Sequence, residues 1–247
     1  MLESMKNRRT VRKYSDREVS EEMLTKLLEV ALRASTTGNM QLYSVVVTRD
    51  AENKSKLAPA HFNQPMVTGA PVVLTFCADF NRFTKWCELR EAEPGYDNIQ
   101  SFIAAALDAA LVAQSFCNAA EEAGLGICYL GTTTYNAKQI TEILGLPELV
   151  VPVTTVTVGY PEEIPAQCER LPIEAVLHRE VYRDYSAETI EQLYKEKEEL
   201  PANRKFVEEN NKKTLAQVFT DVRYTRKNNE FFSERFIELL KEQGFLR

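Results

Sequence analysis

From residue 20 the chain reads SEEMLTKLLEVALRA, and Leu24, Leu27, Leu28, Ala31 and Leu32 return at the three-and-four spacing of a single helix face. Ser20 stands where an N-cap belongs, and Glu21 and Glu22 occupy the positive end of the helix dipole. A polar run follows, Ser35-Thr36-Thr37-Gly38-Asn39-Met40-Gln41, which breaks the pattern. Tyr43 to Thr48, Val72 to Ala78, Ile127 to Gly131 and Val150 to Gly159 are short apolar, β-branched runs and predict four strands. Between the first two, Asp50 to Ala60 predicts a short helix, and Ala137 to Leu144 predicts another. Residues 99–123 form a long alanine-rich helix, with Gly124 and Gly126 as its stop.

Within that helix, Phe102 to Cys117 is the most apolar stretch of the chain. It carries Asp108 and Gln114 and falls short of the ~20 apolar residues that a membrane span requires. Burial inside a domain or against a partner subunit is the expectation. After Pro161 the pattern changes: Pro161, Pro165 and Pro172 mark an irregular connection, and residues 188–213 are rich in Glu, Lys and Asn. That region predicts solvated helices. Phe232, Phe236, Leu239 and Leu240 then place a final amphipathic helix near the C-terminus. The division expected is an α+β core over residues 1–185 and a helical extension over 186–247.

Composition narrows the chemistry. The chain has 247 residues, with 36 acidic against 30 basic side chains for a net charge of −6. An acidic balance argues against a dedicated nucleic-acid binder. Five cysteines, Cys77, Cys87, Cys117, Cys128 and Cys168, form no CxxC pair, and His61 and His178 are the two histidines. A Cys/His metal site is therefore not expected, and the odd thiol count fits a reducing cytoplasm. Cys77 and Cys117 lie in apolar runs as core thiols, and His178 reads as a surface histidine. The start of the chain shows no leader-like apolar run. Glycine-rich nucleotide loops and a GxSxG elbow are both absent, which points to a bound cofactor as the source of any chemistry.

One cluster contradicts the net charge. Lys6, Arg8, Arg9, Arg12, Lys13 and Arg17 put six bases into twelve residues, where an even spread of thirty would put between one and two. In an extended segment Arg8, Thr10 and Arg12 share a face, and guanidinium forks around a hydroxyl suit a phosphate. A solvated basic terminus pairing with Glu18, Glu21 and Glu22 is the competing reading. Polar groups able to hold a flat heteroaromatic ligand gather at 35–41, at Asn63-Gln64 and at 129–134.

Five segments in order carry a family resemblance: RRTVRKYSD near the start, the polar run ending in Gln41, FNQPMVTGAPVVLTFCADFNR at 62–82, AAEEAGLGICYLG at 119–131 and ERLP at 169–172. Together they resemble the FMN-dependent nitroreductase and flavin reductase family, most of all its NADPH-preferring, oxygen-insensitive branch. The resemblance implies an intertwined homodimer of α+β subunits, each with a mainly antiparallel sheet flanked by helices. FMN would lie between subunits, with NADPH or NADH as reductant and a small-molecule electron acceptor. Two-electron transfer would pass through flavin N5, so no side chain is assigned a catalytic role.

Carried over by position, Arg8, Arg9 and Thr10 would hold the phosphate, and Arg12 would lie near the flavin pyrimidine edge. Thr36, Thr37, Gly38 and Asn39 would line the flavin from the other subunit, and Gln64 would face the ring. Leu130, Gly131 and Thr132 would flank the ring edge and ribityl chain, and Arg170 would be a second phosphate cation. The chain departs from its relatives in having Cys168 where they have lysine and Arg8 where they have histidine, so Arg8 is expected to restore the lost charge. Among the basic residues Arg204, Lys205, Lys212 and Lys213 none matches a nicotinamide-cofactor arginine of those relatives. A flavin-binding or redox-sensing module without acceptor turnover, and a structural dimer without cofactor, are the alternatives from other classes.

Overall fold

The computed structural model describes residues 2–246. Four strands form one sheet: β1 (Tyr43–Thr48), β2 (Val72–Asp79), β3 (Gly126–Leu130) and β4 (Val150–Gly159). Their order is β1-β2-β4-β3, and every neighbouring pair is antiparallel. The expected strands are therefore all present, to within a residue at their ends. A bulge between Phe76 and Cys77 shifts the β2–β4 register.

Before the sheet come α1 (Leu2–Lys6) and α2 (Glu21–Ala31), followed after β1 by α3 (Ala51–Leu57) and α4 (Pro65–Gly69). The Ser20 side chain accepts from the Met23 amide, so the cap inferred from sequence closes α2. After β2 lie α5 (Asn81–Glu88) and the long α6 (Ile99–Glu122), and α7 (Ala137–Leu144) separates β3 from β4. Pattern reading missed α1, α4 and α5, two of them only five residues long and too short to show a periodicity.

Helix α6 organises the core. Ala109, Val112, Ala113, Phe116, Cys117 and Ala120 pack with Leu74, Phe76, Val156 and Val158 of the central strands and with Leu24 and Leu27 of α2. Alanine is what allows this approach, since small side chains let the helix lie close on the sheet. A second cluster, with Leu57, Met66, Val67 and Ile140, gathers around Cys128 and Leu130 of β3. Helix α6 is long and apolar enough to cross a membrane, yet nine of its side chains are buried inside the protein.

Asp108, near the middle of α6, is 1% exposed. Its carboxylate accepts from the Thr36 hydroxyl, from the Thr37 amide at 2.9 Å, from the Thr37 hydroxyl at 3.0 Å and from the Leu42 amide at 3.2 Å. Four donors offset the cost of burying a charge in an apolar helix. They also tie the whole polar run 36–42 to the core. Backbone in that run is bent into the left-handed region at Gly38, Asn39 and Gln41, a shape held by this carboxylate.

Geometry divides the chain into two compact units, one holding residues up to Gln167 and from Phe232 onward, the other Cys168–Phe231. The expected boundary at 185 falls inside the second unit. The C-terminal residues belong with the first unit because Leu239, Leu240 and Phe245 bury themselves against Phe102, Phe80 and Val151. The second unit holds α8 (Ala187–Glu199), α9 (Pro201–Glu209) and α10 (Leu215–Val218), and α11 (Arg226–Glu242) begins in it. No side chain of α8 or α9 is buried, as the charge pattern predicts.

Replacing Asp108 by alanine should cost about 3 kcal/mol of stability, because it strands several buried donors at once. Urea unfolding measures this, and a loss below about 0.5 kcal/mol would rule Asp108 out as the anchor.

Candidate functional site

The basic segment is held as an extra rung at the edge of the sheet. Thr10 forms a parallel bridge with Ile127, the Val11 amide donates to the Ile127 carbonyl at 3.0 Å, and Tyr14 bridges Pro161. Gly126 permits this approach: a Cβ there would lie 2.6 Å from Val11 Cβ. Gly159 does the same for Tyr14 and Pro71, at 2.8 and 2.6 Å. The Tyr14 hydroxyl lies 2.7 Å from Thr157 Oγ1 and 2.9 Å from the Val11 carbonyl, and burial pushes its pKa up. Arg17 stacks on Tyr160 at 3.7 Å. Most of the bases are thus on a fixed extended backbone. Among the described residues the bases do not pair with Glu18, Glu21 or Glu22; Glu21 instead meets Arg49 at 3.3 Å.

Arg8 and Arg9 line a pocket of about 220 Å³ with Ser4, Asn7, Glu121, Gly126 and Pro165. Arg9 donates to the Asn7 carbonyl at 2.6 Å. Arg8 Nε lies 3.3 Å from Glu121 Oε1, an ionic contact in which the carboxylate side chain is 9% exposed. Neither Glu121 oxygen receives a well-aligned hydrogen bond, and burial pushes its carboxyl up while Arg8 opposes the shift. Sequence reading missed Glu121 altogether. It sits on the last turn of α6, where acidic residues oppose the helix dipole, and that is the signal that could have found it.

A second group forms where residues 58–64 meet the end of β3. His61 Nδ1 is 2.9 Å from Thr132 Oγ1, and Gln64 Nε2 donates to the same oxygen at 3.4 Å. The other ring nitrogen, His61 Nε2, is buried without a partner among the described residues. Burial lowers the His61 pKa to about 4, so the ring is neutral at ordinary pH. Leu130 is buried at the strand end and Gly131 is exposed beside it. Gln64 and Thr132, singled out in sequence, are brought together here, and His61 is a third member that the motif did not flag.

Residues 36–39 behave differently. The Thr36 and Thr37 hydroxyls are turned onto Asp108, which leaves the exposed backbone of Gly38 and Asn39 as the part of the loop facing outward. Arg170 lies in the other compact unit, where its guanidinium donates to the Glu169 carbonyl at 2.8 Å. Cys168 is exposed, and the other four cysteines are buried free thiols. Burial pushes the Cys77 and Cys117 thiols up to about 12, as expected of core residues. His178 is half-buried rather than at the surface, since its ring stacks near Tyr182 and meets the Tyr185 hydroxyl at 3.1 Å. Lys205 and Lys212 pair with Glu209 and Asp221 on the same unit.

An antiparallel sheet packed on a long alanine-rich helix, with an arginine-bearing strip along the sheet edge, defines a flavoenzyme-like α+β class rather than a nucleotide-loop fold. The nitroreductase family model matches residues 5–160, and the chain belongs to that family. It is 34% identical to the NAD(P)H FMN reductase of Bacillus subtilis (strain 168) over 184 residues, 74% of each chain. A crystal structure of a protein described as an oxidoreductase from Bacteroides fragilis NCTC 9343 matches 99% of this chain and all of that one, at 63% identity and a TM-score of 0.98. The NfrA1 nitroreductase of B. subtilis matches 99% of this chain and 98% of its own, at 28% identity and a TM-score of 0.86.

The depressed His61 pKa makes a pH prediction. Between about 4 and 6.5 the unfolded chain binds a proton that the folded chain does not, so stability falls as pH drops through that window. The loss from this group should reach about 3 kcal/mol. In His61→Gln, urea midpoints should vary correspondingly less between pH 6.5 and 4; an unchanged slope would place the titrating group elsewhere.

Proposed function

We propose that the chain is an NAD(P)H-dependent FMN oxidoreductase that reduces nitroaromatics, quinones or free flavin, acting as a homodimer in the cytoplasm. The observation that carries this is the arginine strip fixed at the sheet edge, next to a strand end that gathers Gln64 and Thr132. That donor set fits a phosphorylated flavin: cations for a phosphate, an amide and a hydroxyl for ring edges. When bound, FMN supplies two-electron chemistry at N5, taking hydride from NAD(P)H and giving it to an acceptor.

The chain's own groups bind and orient. Arg8, Arg9 and Thr10 would hold the phosphate, and Arg12, exposed on the same strip, would place positive charge near the pyrimidine edge. Gln64 would present its amide to the ring, with Leu130, Gly131 and Thr132 beside it. Thr36, Thr37, Gly38 and Asn39 would serve the partner subunit's flavin through the backbone that Asp108 holds in place. Arg170 is assigned by the family resemblance alone.

Support for the homodimer comes from α6. Ile99, Ile103, Leu107 and Leu111 are four apart and 45 to 60% exposed, an apolar stripe on the side turned away from the sheet. Free thiols throughout support a reducing compartment. The alternative, a flavin-binding module without acceptor turnover, shares the binding groups and differs in turnover alone.

Two measurements test this reading. The purified protein should show oxidised-flavin absorption, or gain it with added FMN. NADPH or NADH should bleach it under anaerobic conditions, and an acceptor should restore it. A colourless protein that takes up no FMN overturns the reading, and bleaching without reoxidation favours the binding module. Running NADH and NADPH in parallel fixes the reductant. Separately, Arg8→Ala should weaken FMN binding more than Cys168→Ala, and equal affinities would remove Arg8 from the phosphate site.

A further inference from the structure

We propose that Glu121 is a proton-linked positioning residue of the phosphate subsite: ionised, it competes for Arg8, and it takes up a proton when a phosphate claims that arginine. The inference rests on the flavin-phosphate reading above.

Three observations carry it. Arg8 and Glu121 line the same pocket, and the arginine approaches the carboxylate through Nε at 3.3 Å. Both Glu121 oxygens are shielded from solvent without a well-aligned hydrogen bond, so Arg8 is the cation that balances this charge. The other titratable groups acting on Glu121 are Cys117 and Tyr129, and burial pushes both of these up, leaving them neutral at working pH. Arg9 also lines the pocket but turns to the Asn7 carbonyl, and the adjacent Glu122 is exposed.

One guanidinium then faces two anions. A phosphate dianion placed on Arg8 divides the charge that stabilises the Glu121 carboxylate, and its own negative charge adds repulsion. Ligand binding therefore raises the Glu121 pKa, and by linkage the bound complex takes up a proton. Affinity falls as pH rises through the interval between the free and bound ionisations. The arrangement also accounts for a basic residue at position 8 that does not simply add a cation: Glu121 cancels part of it until a phosphate arrives.

Glu121→Gln keeps the shape and removes the charge. At pH 8 it should bind FMN about tenfold tighter than the wild type, the equivalent of one unit of pKa shift. The difference should shrink as the pH is lowered and the carboxyl takes up its proton. The second ionisation of FMN's own phosphate is common to both and cancels in the ratio. Riboflavin, which lacks the phosphate, should show no such difference.

Calorimetry in buffers of different ionisation enthalpy, run from pH 5 to 8 on the wild type and on Glu121→Gln, gives a second readout. The FMN phosphate contributes equally to both proteins, so proton uptake by the wild type in excess of the variant belongs to Glu121. Weaker or equal FMN binding by Glu121→Gln at pH 8, or no excess proton uptake by the wild type anywhere in that range, overturns the inference while leaving the flavin reading intact. A wild type that binds no FMN at any pH overturns both.

Discussion

Close contact between the N-terminal strip and the edge of the sheet is the constraint on which the site depends. Two positions without a side chain make it possible. At Gly126 the backbone of β3 meets Val11 at a distance that no Cβ could share, and at Gly159 the end of β4 does the same with Tyr14 and Pro71. Once Val11 is bonded to Ile127 and Tyr14 is seated against Thr157, the residues between and around them have fixed directions. Side chains alternate along an extended segment, so the burial of Val11 turns its neighbours Thr10 and Arg12 to the other side, while Arg8 and Arg9 line the same pocket as Val11. The charges are ordered because an apolar neighbour among them is buried. A helix in this place would have distributed the same residues around its circumference.

The charge that this strip presents is smaller than its sequence suggests. Six bases in twelve residues read as a dense cationic patch, yet Lys13 pairs with Glu163, Arg17 lies over Tyr160 and Arg8 meets Glu121. Lys13 and Glu163 are both well exposed, so that pair contributes little. Glu121 is different because its carboxylate is shielded, and a shielded charge is felt at full strength by its neighbour. Local burial therefore decides which of several similar ion pairs affects binding.

Elements with a strong period were legible in the sequence. The four strands, α2, α6 and α7 declare themselves through alternation or a three-and-four repeat, and the Ser20 cap is a local signal with a local cause. The basic strip was legible as well, since charge clustering survives in a one-dimensional reading. What escaped is what depends on partners far apart in the chain. Asp108 was visible as an oddity in an apolar helix, but its four donors come from residues 36–42, some seventy positions away. His61 was one of two unplaced histidines until β3 brought Thr132 to it. The packing of Phe245 on Phe102 is of the same kind, since it joins residues separated by more than half of the chain.

Asp108, Glu121 and His61 are polar groups that the fold places inside an apolar surrounding, and each is resolved differently. Asp108 is fully supplied with donors and so acts as a rigid anchor. His61 gives up its charge, which lets it share a hydroxyl with Thr132 without needing a counter-ion. Glu121 has neither solution: one arginine opposes its burial without aligned hydrogen bonds. A group left in that intermediate condition is the one whose protonation responds to what binds nearby, because a modest change in local potential shifts the balance between its two states. Full satisfaction would make it inert, and full exposure would leave solvent to screen the change. On that ground Glu121, rather than the more conspicuous arginines around it, sets how the phosphate end of the site responds to pH.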